Sequence, residues 1–197
     1  MVEDADTRFN KELDRYICGE LRSNEHLSIG LPMGVMAYFL PQKGIILRQK
    51  VLTKAVKKHG MNASDIKNLP SALTYPIFVF QSDNNTISVL TELKTKDRKN
   101  VFVAIKLDAY KQFGHRFLEV NDILTIHGRE EENIINPIVE NKRLIWVDKK
   151  KGQDWLSSAK SNSQAITNDD LISCANIVND FENPKITIEK ISMSQPD

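Results

Sequence analysis

Residues 47–82, LRQKVLTKAVKKHGMNASDIKNLPSALTYPIFVFQS, commit the chain to a fold in which a basic amphipathic helix leads straight into a buried strand. Ile46, Val51, Leu52, Ala55 and Val56 recur at the spacing of one helical face over residues 46–59, and Arg48, Lys50, Lys54, Lys57 and Lys58 fall on or beside the open face. Gly60 is placed to end the helix in a left-handed conformation, and the lysines of the last turn suit the negative end of the helix dipole. A short helix capped by Ser64 should follow, with Pro70 just beyond its end. The run PIFVFQS at 76–82 is then apolar enough for a central strand. Cations and the imidazole of His59 therefore meet where a helix stops and a sheet begins, a plausible place to hold a phosphate.

The rest of the chain extends this pattern. Residues 8–21 have the periodicity of an amphipathic helix, with Phe9, Leu13, Tyr16, Ile17 and Leu21 on one side. A loop is expected over 23–30, and Pro32 suits the first turn of a short apolar helix. Further strands are expected at 86–93, 101–107, 119–129 and 143–148. In the 119–129 strand, Ile123, Thr125, His127 and Arg129 should point one way and Leu124 and Ile126 the other. Residues 130–142 suggest a helix, 157–164 a linker, and 168–184 a last helix capped by Asn168. The segment 185–192 is an added edge strand or a tail. Helices, then antiparallel strands, then a helix make an α+β order rather than an alternating one.

A chain of 197 residues, 41 % hydrophobic and 27 % charged, is one domain with extensions and can bury a core without staples. No apolar run reaches the roughly 18–20 residues of a membrane span, so no membrane association is expected. The N-terminal stretch is polar and acidic, unlike a secretory signal. Cys18 and Cys174 are the only cysteines and have no metal spacing; both are expected on apolar helical faces, without nucleophilic character. A reduced, cytoplasmic protein is the expectation. The net charge of +1 conceals an asymmetry, because residues 41–115 carry 13 Lys and Arg against 5 Asp and Glu. A basic middle between acidic ends suits an anionic partner, although solvated surface lysines would read the same way. No HExxH, CxxC, Walker, GxSxG or GxGxxG pattern occurs, so no metal and no cofactor is expected.

One chemistry suits these residue types. RNA can be cleaved through its own 2′-hydroxyl if a protein supplies a base, an acid and cations around the phosphorane. His59 and His127 offer the acid–base pair, Arg129 the cation, and Lys54, Lys57, Lys58, Ser82 and Thr125 the nucleic-acid contacts. Ser82 and Thr125 would need to lie on adjacent strands facing the end of the helix that carries His59. Each residue also has a plainer role. His59 can cap carbonyls, His127 can be a satisfied strand residue, Arg129 can pair with Glu130–Glu132, and Ser82 can be a turn residue. Trp146 and Trp155 suit a core or an interface, and His26 and His115 are expected in loops.

The pattern Val51-Leu52, Lys54, Lys58-His59-Gly60, Leu69-Pro70, Pro76-Ile77-Phe78-Val79-Phe80 and Ser82 resembles the nuclease-like domains of MuF-type phage proteins and of mobile-element polyvalent proteins. These are assigned to the barnase–EndoU–colicin–RelE superfamily. Val120-Asn121-Asp122-Ile123 followed by Thr125-Ile126-His127-Gly128-Arg129 resembles that family's "Asn-x-Ile-x-Ser-x-Tyr-x-Lys" strand, and Leu144-Ile145-Trp146-Val147 its last strand. The resemblance implies N-terminal helices packed on a four-stranded antiparallel sheet, with a C-terminal helical extension. It divides the chain into an N-terminal extension (1–26), the superfamily-like domain (27–151) and a C-terminal helix and tail (152–197). It also implies toxin-like, metal-independent ribonuclease activity on RNA, with an immunity or phage protein as possible partner. Thr125 stands where the family has serine and His127 where it has tyrosine. An inactive nucleic-acid- or protein-binding module of the same fold is therefore the alternative.

Overall fold

The central strands are apolar on both faces, and this decides the architecture. Phe78, Val79 and Phe80 are all buried, as are Val89 and Leu90, and Val101, Phe102 and Val103. Successive strand residues point to opposite sides, so such strands need cover on both. The computed structural model describes residues 4–22, 24–113, 116–140, 143–162 and 166–181. Its strands are β1 (His26–Gly30), β2 (Ile45–Arg48), β3 (Phe78–Asp83), β4 (Thr86–Lys94), β5 (Asn100–Phe113), β6 (Arg116–Arg129) and β7 (Leu144–Val147). They form one seven-stranded sheet in the order β1-β2-β6-β5-β4-β3-β7. β2 and β6 are parallel, and the other neighbouring pairs are antiparallel.

The helices are α1 (Ala5–Ile17), α2 (Met36–Phe39), α3 (Gln49–His59), α4 (Leu69–Thr74), α5 (Glu132–Val139), α6 (Lys149–Asn162) and α7 (Asn168–Asp180), with a 3-10 turn at Ala63–Ile66. On one face Phe9 and Leu13 of α1, Leu52 and Ala55 of α3 and Leu73 of α4 pack on Val79, Val89, Val103, Ile123 and Ile126. On the other, Ile134 and Ile138 of α5, Trp155 of α6 and Cys174 and Val178 of α7 pack on Phe78, Phe80, Leu90 and Phe102. Asn100 ties the second layer to the sheet. It is 4 % exposed, donates to the Thr91 carbonyl at 2.7 Å and accepts from Trp155 Nε1 at 3.0 Å.

The structure corrects the expected four-stranded antiparallel sheet with helices to its N-terminal side. The protein is α+β, but its sheet is mixed and its helices lie around both faces. Two of the extra strands were concealed locally. β1 occupies a stretch expected as loop, and β2 (IILR) abuts α3 with no breaker, so helical periodicity ran back over it. Arg48, expected near the open helix face, is instead the extended residue that precedes α3. It pairs with the fully buried Asp122 of β6 through Nε to Oδ1 at 2.9 Å and Nη2 to Oδ2 at 2.8 Å, and Lys111 Nζ lies 2.9 Å from the same Oδ2.

Smaller departures have similar causes. A bulge in the β5–β6 register sets Ala104 opposite Thr125 and Ile105 opposite Ile123, leaving Leu124 out of the pairing. The phase of β6 changes there, so Ile123 joins Ile126 in the first core, away from Thr125, His127 and Arg129. The 157–164 linker is largely helix, because α6 runs through Asn162 with Leu156 and Ala159 buried. Pro70 begins α4 rather than following a helix, and the 3-10 turn is capped by Asn62, not Ser64, with Asp65 accepting the Asn62 N–H at 2.9 Å. Cys18 is exposed at the end of α1, not on an apolar face. His115 and 185–192 lie outside the described residues. Among the described residues no helix is long and apolar enough to cross a membrane.

Candidate active site

The brevity of β2 builds the site. β2 pairs only with residues 121–123 of β6, while β6 continues to Arg129. The chain turns into α3 at Gln49, and that helix packs against β6. Gly60 ends it in a left-handed conformation, φ 63°, directly after His59. His59, exposed at the last position of α3, thereby meets His127 with ring centroids 5.2 Å apart and planes tilted by 31°.

The register of the sheet lays out the floor. Phe80, Ser88, Ala104 and Thr125 form one row across β3, β4, β5 and β6, and Phe78, Leu90, Phe102 and His127 form the next. His127 lies 6.0 Å from the Phe102 ring, and the Arg129 guanidinium stands over the same ring at 4.2 Å. Phe102 therefore neighbours both the imidazole and the guanidinium, the latter in a cation–π arrangement. Thr125 Oγ1 is 3.3 Å from His127 Nδ1 and steadies that ring. Beyond Arg129 a cleft of about 60 Å³ opens between the sheet and α5, with Ser82, Ser88, Asn133 and Arg143 in its wall. The Ser82 and Ser88 hydroxyls are 2.5 Å apart.

The electrostatics single out His127. Burial pushes the His127 pKa below the ordinary imidazole value, and the positive charges of His59, Arg129 and Lys54 push it the same way. Burial alone also lowers Arg129. His127 is held in its neutral form at neutral pH, able to take a proton.

The sequence-derived candidates fall into three groups. His59, His127, Arg129 and Thr125 come together at the α3–β6 edge. Ser82 lies on β3, with β4 and β5 between it and Thr125, so the two are not on adjacent strands. Three strand spacings of about 4.8 Å separate their strands. Lys54, Lys57 and Lys58 are exposed on α3, and only the charge of Lys54 among these three registers at His127. Arg129 does not pair with Glu130–Glu132; Glu130 meets Lys99, and Arg129 stacks on Phe102. Phe102, Ser88, Asn133 and Arg143 were not anticipated. Ser88, a hydroxyl inside the apolar run 86–90, was the one visible signal. Among the described residues no group of three or more His, Cys, Asp or Glu could hold a metal ion.

Fold and site together define a mixed-sheet α+β protein whose α3–β6 edge brings two imidazoles near a guanidinium, a set of groups chemically suited to an anion. The model of the phage MuF C-terminal domain matches residues 50–154, more than half of the chain, and the protein belongs to that family. The matched region runs from α3 into α6 and holds His59, Ser82, Thr125, His127 and Arg129. No curated protein and no solved structure matches the chain.

Proposed function

We propose that this phage-type domain is a toxin-like ribonuclease that cleaves RNA by general acid–base catalysis, without need of a metal. The observation that carries the reading is the 5.2 Å approach of the His59 and His127 rings beside Arg129. Both imidazoles can then reach oxygens of one phosphodiester. His127 is the base. It keeps its proton on Nδ1, donates it to Thr125 Oγ1, and presents the Nε2 lone pair to the 2′-hydroxyl. The 2′-oxygen forms its bond to phosphorus as Nε2 takes the proton. Arg129 compensates the charge that builds on the non-bridging oxygens. His59, exposed on the opposite side, protonates the 5′-oxygen as its bond to phosphorus breaks. The products are a 2′,3′-cyclic phosphate and a free 5′-hydroxyl. Lys54, Lys57 and Lys58 attract the strand, a contribution that weakens with salt.

Purified protein should cleave single-stranded RNA in the presence of a chelator, and His59→Ala and His127→Ala should each lower kcat by about 10²- to 10⁴-fold. A second reading is a non-cleaving nucleic-acid-binding module of the same fold. It is favoured by Thr125 and His127 standing where the resembled ribonuclease strand carries serine and tyrosine. Binding of RNA by the wild type with no cleavage of single-stranded, duplex or structured substrates would select the second reading over the first.

A further inference from the structure

The cleft between the sheet and α5 shares Phe102 and Arg129 with the site, but neither His59 nor His127 lines it. Its chemistry is specific. Arg129 and Arg143 contribute guanidinium groups, Ser82 and Ser88 contribute hydroxyls, and Asn133 contributes an amide. Ser88 is 3 % exposed, so its hydroxyl is a buried polar group whose contact is Ser82 Oγ at the cleft wall. Of the nearby carboxylates, Glu130 pairs with Lys99. Among the described residues neither Arg129 nor Arg143 has a carboxylate in ion-pair contact.

Size then selects the occupant. A space of about 60 Å³ takes a few waters or one tetrahedral anion, and it is too small for a nucleobase. Planar guanidinium forks bind phosphate oxygens in pairs, and hydroxyl and amide donors complete such a shell. We infer that this cleft is a second phosphate site, which takes the phosphate next to the scissile one on a nucleic-acid strand, with Arg143 as its outer ligand. Arg129, stacked on Phe102 and lining the cleft, is the residue the two phosphates would share. The inference rests on the ribonuclease reading for the direction of the strand, but the cleft binds its phosphate whether or not cleavage occurs.

The test uses binding of a substrate that cannot react. The deoxydinucleotide dTpdT lacks the 2′-hydroxyl and is titrated into the whole protein in three forms: without a terminal phosphate, with a 5′-phosphate and with a 3′-phosphate. One of the phosphorylated forms should bind about tenfold more tightly than the bare form, the scale of a charge-assisted contact. Arg143→Gln should erase that gain while leaving the affinity for bare dTpdT within about twofold. Arg143→Lys should restore part of it, and Ser88→Ala should reduce it. Arg143 is exposed, so its replacement does not endanger the fold. Equal affinities for all three forms, or a phosphate gain that survives Arg143→Gln, overturn the inference. Phosphate-dependent binding in a protein that never cleaves RNA would fail the catalytic reading alone. Cleavage without a phosphate gain would fail this inference alone.

Discussion

His127 has the least ordinary environment of any candidate residue. It is half-buried between Phe102 and His59, and burial and three neighbouring cations disfavour its proton. Its folded pKa lies below the unfolded value of about 6.5. The unfolded state therefore binds more protons below that pH. Stability should be full above about 6.5 and fall as pH drops towards the folded pKa. Chemical denaturation across pH 5–8 should show this slope, and His127→Gln should flatten it. The acid limb of kcat/KM should likewise fall below the ordinary imidazole value, because the free base persists to lower pH. Thr125→Val removes the Nδ1 contact while keeping shape, and should lower kcat with little change in KM. His59 and His127 were legible in the sequence as residue types in a basic context. Their meeting was not, since 68 positions separate them and only the placement of α3 against β6 joins them.

At the level of elements, α3 is the device that carries one histidine to the other, and both of its ends are pinned. At its start, Arg48 forks onto Asp122, which is fully buried, with Lys111 as second partner. Removing one partner of a buried charge is costly. Because Lys111 stays on Asp122, Arg48→Met should destabilise the protein by about 1.5–3 kcal/mol in urea titrations, short of the full cost of an unpaired buried charge. It should also weaken activity by loosening the helix that holds His59. At its end, Gly60 sits at φ 63° with open space where a Cβ would go. Gly60→Ala should therefore cost only the backbone strain, about 1–2 kcal/mol, with no steric addition. The helix and its glycine stop were readable because amphipathic period and C-terminal glycine are local signals. β2 was not, because four apolar residues joined to a helix carry no period of their own.

At the scale of the molecule, helices cover both faces of a seven-stranded sheet, and the two cysteines differ in their access to solvent. Cys174 is fully buried in the second core and its thiol is pushed up to about 12 by burial, whereas Cys18 is exposed at the end of α1. A thiol reagent at neutral pH should modify one cysteine in the native protein and a second only on unfolding. Trp155→Phe would test the link between α6 and the sheet. It keeps the apolar contact with Phe78 but removes one of two donors to the buried Asn100 carbonyl oxygen, which Lys94 Nζ still reaches at 2.5 Å, at a cost of about 0.5–1.5 kcal/mol. That loss should appear as a lower denaturation midpoint with the m-value unchanged.

The sequence by itself determined the α+β class, the four central strands, the helix that ends at His59-Gly60 and the concentration of positive charge around it. These follow from short-range rules: period, caps, turn residues and composition. Only the tertiary structure decided that the sheet is mixed and seven-stranded, that Leu124 bulges and turns the phase of β6, and that Phe102 neighbours both His127 and Arg129. The reason is physical. Strand partners and edge cover are chosen by which apolar faces can be buried together, and that choice depends on residues far apart in the chain. Arg143 and Ser88, 55 positions apart, face one cleft because β3 pairs with both β4 and β7.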